Sequence, residues 1–200
     1  MAVTQRHTTS RAEAALPVTW AEFVALEEDD FRELIDGRLV EVEVPGKKHE
    51  RIVGVLIHRL RTWAIPRGVG EVLGSGFKVR ITDTRGVMPD VQLLSPETWR
   101  GAPEHGLEQG HPELVVEVVS RSSRRYDRVT KLRWYASIGV PEYWIVDPDD
   151  RTLERLVLRD RAYLIAQTAQ DAEVFEPESF EGLAIPLVEL WDDGSTPAGP

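Results

Sequence analysis

Apolar positions recur along this chain with two periods. Residues 49–65, HERIVGVLIHRLRTWAI, place Ile52, Val53, Leu56, Leu60, Trp63 and Ala64 three and four residues apart, which predicts an amphipathic helix. The run from Pro66 to Gly70 predicts its end. A second helix is predicted over 126–137, stopped by Gly139 and Pro141. A short one starts at Thr19-Trp20-Ala21-Glu22, a capping box, and runs to about Glu28. Asp36-Gly37 between apolar-bearing runs predicts a hairpin of strands 31–35 and 38–44, broken off by Pro45-Gly46. Residues 72–81 alternate as a strand, with Lys78 and Arg80 on one face. Residues 87–94 and 114–119 are nearly continuous apolar runs, the pattern of central strands covered on both faces. A Gly/Pro/Glu-rich loop over 97–111 separates them. Strands at 142–147, 152–158 and 162–167 come next, the first two joined by Pro148-Asp149-Asp150, and a short strand lies near 183–187. The order predicts one mixed α/β (α+β) domain over 17–191, with a flexible leader at 1–16 and a disordered tail at 192–200.

Composition narrows the chemistry. The 200 residues include no cysteine, so a disulfide scaffold, a zinc finger and a Cys nucleophile are excluded. No apolar run approaches the roughly 18 residues of a membrane span, and the N-terminus lacks the apolar stretch of a signal peptide. The expected setting is cytoplasmic, with no membrane partner.

Two acids stand where acids are costly. Asp90 interrupts one apolar strand and Glu117 the other. Singly, each has a plain reading: an Asp after Pro is a common turn acid, and a strand Glu often pairs with Arg. On neighbouring strands the two would converge, and converging carboxylates without thiols or clustered imidazoles favour a hard cation such as Mg²⁺ or Mn²⁺. Asp127, Lys131 and Tyr135 come later, at four-residue spacing on one helical face. A lysine there can act on a metal-bound water or on a phosphate; an ordinary Asp–Lys helix pair is the plain alternative.

The net charge of −10 argues at first against a nucleic-acid partner. The distribution changes that. Residues 47–67 hold Lys47, Lys48, Arg51, Arg59, Arg61 and Arg67 against Glu50 alone. Residues 121–133 hold Arg121, Arg124, Arg125, Arg128, Lys131 and Arg133 against Asp127 alone. Arginine suits phosphate, and Lys47, Lys48, Arg51, Arg121, Arg124, Arg125 and Arg128 are the candidate nucleic-acid contacts.

The stretches RELIDGRLVEV (32–42), KKHERIVGVL (47–56), MPDVQLLSP (88–96), PELVVEVVSRSS (112–123) and RRYDRVTKLRWYASIGVPEYWIVDP (124–148) resemble the Uma-two family of restriction-endonuclease-like proteins in the PD-(D/E)XK nuclease superfamily. The resemblance implies a restriction-endonuclease-like mixed central sheet flanked by helices. It makes Asp90 the acid of the Pro-Asp motif, Glu117 that of the Glu-x-Lys motif, and the Val118 backbone carbonyl a further metal ligand. The lysine expected two residues after Glu117 is Val119 here; in Uma-two proteins a lysine on the following helix takes the role, which here is Lys131. Glu33 and His49 match accessory positions, and Asp127 and Tyr135 share the face of Lys131. The implied activity is Mg²⁺- or Mn²⁺-dependent hydrolysis of nucleic acid, DNA in the first place with RNA left open, and cutting both strands of a duplex would call for a homodimer. Two rivals stay open: a nucleic-acid-binding or interaction module without effective cleavage, favoured by Val119, and a hydrolase of small phosphate esters.

Overall fold

The computed structural model describes residues 16–27, 30–42 and 45–191. The leader up to residue 15 and the tail from 192 lie outside those residues. So do Glu28, at the expected end of the first helix, and positions 43–44, at the end of the second hairpin strand.

Helix α1 (Trp20–Val24) opens on the expected capping box, with Thr19 accepting from the Glu22 amide and the Glu22 carboxylate receiving the Thr19 N–H at 2.8 Å. Strands β1 (Glu33–Ile35) and β2 (Arg38–Val40) form the hairpin. Asp36 and Gly37 have φ of 48° and 75°, which an Asp-Gly turn tolerates. Helix α2 (Lys47–Arg67) is longer than its apolar stripe implied and passes through Pro66. Gly68 ends it, at φ 61°, giving its amide to the carbonyls of Ala64 and Ile65.

Two runs expected as single strands are each divided between sheets. Residues 72–81 become β3 (Glu71–Gly74) and β4 (Lys78–Thr82), parted at Gly74-Ser75-Gly76. Residues 87–94 become β5 (Arg85–Val87) and β6 (Val91–Leu94). The break falls at Met88-Pro89-Asp90, where proline has no N–H to give a ladder. The expected loop 97–111 contains helix α3 (Pro96–Gly101), capped by Ser95, and the short strand β7 (Gly106–Leu107).

Strand β8 (Leu114–Val118) precedes a π-helical segment, Tyr126–Lys131, which runs into helix α4 (Leu132–Ile138). Strands β9 (Glu142–Asp147), β10 (Thr152–Arg159) and β11 (Ala162–Gln170) form a meander. The pair β12 (Val174–Phe175) and β13 (Ile185–Pro186) and helix α5 (Val188–Trp191) close the domain. The larger sheet has the order β11-β10-β9-β8-β6-β3 and is mixed, since β8 and β9 are parallel and the other pairs antiparallel. The smaller has the order β2-β1-β5-β4-β7.

The alternation along β8 sorts its side chains between two buried faces. Leu114, Val116 and Val118 pack with Ile52, Val53, Leu56 and Leu60 of α2, beside Trp144 and Val146. Val115 and Val119 point the other way, into a core with Tyr135, Tyr143 and Ile145. Glu117 belongs by alternation to that second, equally buried face.

Candidate active site

In the antiparallel pair β6–β8, Val91 is opposite Val116. Asp90, one residue before β6, therefore falls beside Glu117 across the seam. The Asp90 carboxylate has two partners. Its Oδ2 accepts from the Val118 amide at 2.7 Å and lies 3.1 Å from His49 Nε2 on the first turn of α2.

Glu117 is 2% exposed and meets the α4 side. Its Oε1 accepts from Lys131 Nζ at 3.1 Å and from the Tyr135 hydroxyl at 2.6 Å. Lys131 Nζ also lies 3.2 Å from Glu33 Oε1 and 3.5 Å from Asp127 Oδ1, and 5.4 Å from the Tyr126 ring centroid. Glu33 comes from β1 in the other sheet, and its Oε1 accepts from the Met88 amide at 3.3 Å. One buried ammonium thus gathers three buried carboxylates from two sheets and its own helix.

The segment 126–131 owes its grip on this cluster to its π geometry. Leu132 returns its N–H to the carbonyl of Asp127, five residues back, widening the turn. The Tyr143 hydroxyl donates to that carbonyl at 3.2 Å and anchors the wide turn to β9.

Electrostatics are set by burial. Desolvation pushes the Glu117 carboxyl well above the ordinary range; Lys131 pulls it back, and Asp90, Asp127 and Glu33 push it further up. Asp127 is raised for the same first reason, against Lys131 and a bond from Ser123. Burial alone would lower the Lys131 ammonium, but Glu117, Glu33, Asp127 and Asp90 outweigh it and hold the group well above its usual range. His49 is likewise raised, its burial being overcome by the bond to Asp90.

Glu117, Lys131, Glu33, Asp127 and Tyr135 thus form one buried cluster, and Asp90 and His49 form a second pair beside it. Val118 joins that pair through its amide. Apolar periodicity did not single out Tyr126, whose five-residue spacing from Lys131 follows the π-helix and no α-helical period. It also passed over Gln92 on β6, fully buried with its amide N–H on the Phe77 carbonyl and Oε1 unpaired.

The candidate phosphate contacts fare differently. Arg51 is a structural clamp, its guanidinium donating to the carbonyls of Glu189 and Leu190 at 2.9 and 3.0 Å. Arg128 pairs with Glu154 and Asp147. Arg124 holds Asp147 at 2.9 Å and Asp150 at 3.7 Å, Arg121 holds Asp149 at 3.0 Å, and Lys48 donates to the Pro148 carbonyl at 2.9 Å. Four basic residues therefore close round the acidic 147–150 turn. It comes directly after β9, whose Val146 is paired with Val118 of β8. Lys47 and Arg125 are exposed.

Among the described residues, no three or more His, Asp or Glu side chains are arranged to enclose a metal ion. The point where Glu33, Glu117 and Asp127 meet is filled by the Lys131 ammonium.

A family model described as "Uma2: Putative restriction endonuclease" matches residues 20–188. The chain belongs to the Uma2 family. A crystal structure described as a putative nuclease belonging to DUF820, from Anabaena variabilis, is similar over 88% of this chain and 98% of that one, with a TM-score of 0.71 and 17% identity. That likeness places this Uma2 chain in the restriction-endonuclease-like fold. The type IIG restriction endonuclease BpuSI is similar at 11% identity over 76% of this chain and 17% of its own, with a TM-score of 0.39. No functionally curated protein matches the chain. As a Uma2 nuclease-like protein, its departure from the Glu-x-Lys pattern is a matter of geometry. Val119 is buried in the core, with its amide on the Val146 carbonyl, and the ammonium on Glu117 comes from the helix. Among the described residues, no helix is long and apolar enough to cross a membrane.

Proposed function

We propose that this protein hydrolyses phosphodiester bonds of nucleic acid, DNA in the first place, with Mg²⁺ or Mn²⁺ held by Asp90 and Glu117. The observation that carries the reading is the charge imbalance at the β6–β8 seam: Glu117, Glu33 and Asp127 share one buried ammonium, and Asp90 lies alongside, on His49 and the Val118 amide. Glu33 Oε2 is also buried without a hydrogen-bond partner. An excess of hard oxygen donors beside a half-buried Asp fits a hard divalent cation and no softer one.

A bound cation would supply Lewis acidity and a water of lowered pKa. The chain's own residues do the rest. His49 and the Val118 amide hold the Asp90 carboxylate in place, and the Val118 carbonyl is the further oxygen of that edge. Tyr135 and Lys131 fix Glu117, and Lys131 offsets charge that develops on the phosphate. Lys47, Lys48, Arg121, Arg124, Arg125 and Arg128 would meet the backbone phosphates.

The test is supercoiled DNA with Mg²⁺ or Mn²⁺, run beside calorimetric titration of the ion. The expected result is cleavage and ion binding by the native protein and neither by Asp90→Ala, Glu117→Ala. Equal cleavage by both would overturn the assignment. DNA binding without cleavage would favour the binding-module reading, in keeping with Val119.

The 147–150 turn gives a second expected result. Exposed ion pairs contribute at most about 1 kcal/mol, so a phosphate can displace Asp149 from Arg121 and Asp150 from Arg124. Asp149→Asn with Asp150→Asn should strengthen DNA binding several-fold and steepen its decline with salt, measured by fluorescence anisotropy over a salt series. Unchanged affinity would show that these arginines serve only to hold the turn.

A further inference from the structure

Strand β3 leaves the larger sheet beside Asp90. In the pair β3–β6, Gly74 is opposite Val91, and in the pair β4–β5, Val79 is opposite Val87. The stretches 75–78 and 88–90, which carry the chain between the two sheets, therefore run side by side in opposite directions. One further step of the β3–β6 register places Ser75 alongside Asp90. The Cβ that Gly74 lacks would lie 3.9 Å from the Asp90 carbonyl oxygen.

This turn is anchored at one end and open at its tip. The fully buried Gln92, two residues after Asp90, donates to the Phe77 carbonyl at 2.8 Å. Ser75 and Gly76 are exposed. Gly76 has φ 108°, a conformation that side chains rarely adopt, and among the described residues a Cβ there would meet nothing within 4 Å. A bare edge of backbone thus stands in solvent next to the acid.

Its place in the sheet points to a partner. Along one end of the larger sheet come, in the strand order β9-β8-β6-β3, the 147–150 turn, the end of β8, Asp90 and the 74–77 turn. Neighbouring strands are about 4.8 Å apart, so the two turns stand about 14 Å apart with Asp90 and Glu117 between them. The first gathers Lys48, Arg121 and Arg124. The second carries no charge of either sign. A nucleic-acid strand lying along this row with a phosphate at the acids reaches the basic turn on one side and Ser75-Gly76 on the other.

We infer that Ser75 and Gly76 form the second wall of a nucleic-acid cleft, facing the basic 147–150 turn across the acids. The sugar-phosphate backbone next to the cut phosphate docks there on the Ser75 hydroxyl and the bare Gly76 backbone. The inference rests on the nuclease reading for its partner, and adds the direction in which the strand crosses the protein. Glycine lets two backbones approach closely, and a neutral wall bonds phosphate oxygens without releasing counterions.

The chain has no cysteine, so a single introduced one reports on its own surroundings. Ser75→Cys, Asp150→Cys and Ser137→Cys are compared in the full chain. All three positions are exposed, and Ser137 lies near the start of β9, the end of that strand away from the 147–150 turn. Alkylation by N-ethylmaleimide is timed with and without a short DNA duplex, with Ca²⁺ replacing Mg²⁺ to keep the DNA whole, and binding is followed by fluorescence anisotropy. DNA should slow modification of Ser75→Cys at least about tenfold, because thiol reactivity follows access, and leave Ser137→Cys unaffected. Ser75→Ala should weaken binding several-fold, for one lost hydrogen bond, with its salt slope and its circular dichroism melt unchanged. Protection of Asp150→Cys without protection of Ser75→Cys would overturn this wall and leave the nuclease reading standing. Equal slowing at Ser137→Cys would mean indiscriminate coating and overturn it as well. A chain that binds no DNA would overturn both.

Discussion

Lys131→Met is expected to destabilise the protein by about 3–5 kcal/mol at neutral pH, because it leaves buried acids without their cation. Glu117, Glu33 and Asp127 are each no more than 3% exposed and share that single ammonium. Methionine keeps the length of the side chain, so packing against Tyr126 is largely kept and the loss is electrostatic. The pH dependence separates the two. Glu117 and Asp127 already titrate above their usual values because burial opposes ionisation. Without Lys131 they rise further. Between the unfolded and the raised folded pKa, the native state holds protons that the unfolded state has lost, so stability falls as pH rises through that window. The variant should therefore lie closest to the native protein at about pH 5 and furthest from it at about pH 8, measured by urea unfolding. A penalty independent of pH would mean that packing was lost and that the buried acids do not depend on this lysine.

Why the cluster was partly legible in the sequence is a matter of cost. Asp90 and Glu117 interrupt otherwise apolar strands, and a carboxylate in such a place needs a reason. The alternation of β8 then fixes the face. Glu33 was legible only through family likeness. It lies on a three-residue strand of the other sheet and reaches Lys131 through a crossing at Met88-Pro89-Asp90 that reads as continuous strand. Pro89 was the warning, since a proline demotes any reading as a central strand. The four-residue spacing of Asp127, Lys131 and Tyr135 held on one face, but Tyr126 joined them only because the segment is π-helical, and no apolar period announces that. The partners of the arginines are hidden in the sequence for a simpler reason. Charge counting along the chain cannot see that Arg51 caps α5 or that Arg124 and Arg128 are paired with Asp147, 23 and 19 residues away in sequence. Hydrophobic period likewise cannot see α5, whose four residues are held by those same caps.

Glu117→Gln is expected to act in the opposite direction on stability and on ion binding. Glutamine keeps an oxygen for the Tyr135 hydroxyl and the Lys131 ammonium, which now meet Glu117 Oε1 at 2.6 and 3.1 Å, and removes one charge from an over-acidic site. Because burial raises the folded pKa of Glu117, ionising it costs folding free energy above its ordinary range. The substitution should thus stabilise the metal-free fold, increasingly as pH rises above the ordinary carboxylate range. The gain should shrink as pH falls towards the acid range, where the native Glu117 takes up its proton. Millimolar Mg²⁺ should raise the melting temperature of the native protein, through preferential binding to the folded state, and leave that of the variant unmoved. The two readouts together sort the roles of this acid. A residue kept only to neutralise Lys131 would make Glu117→Gln less stable at every pH above the acid range and indifferent to Mg²⁺ in both forms. A residue kept for a cation makes the metal-free fold less stable than it need be, and recovers that deficit when the ion binds.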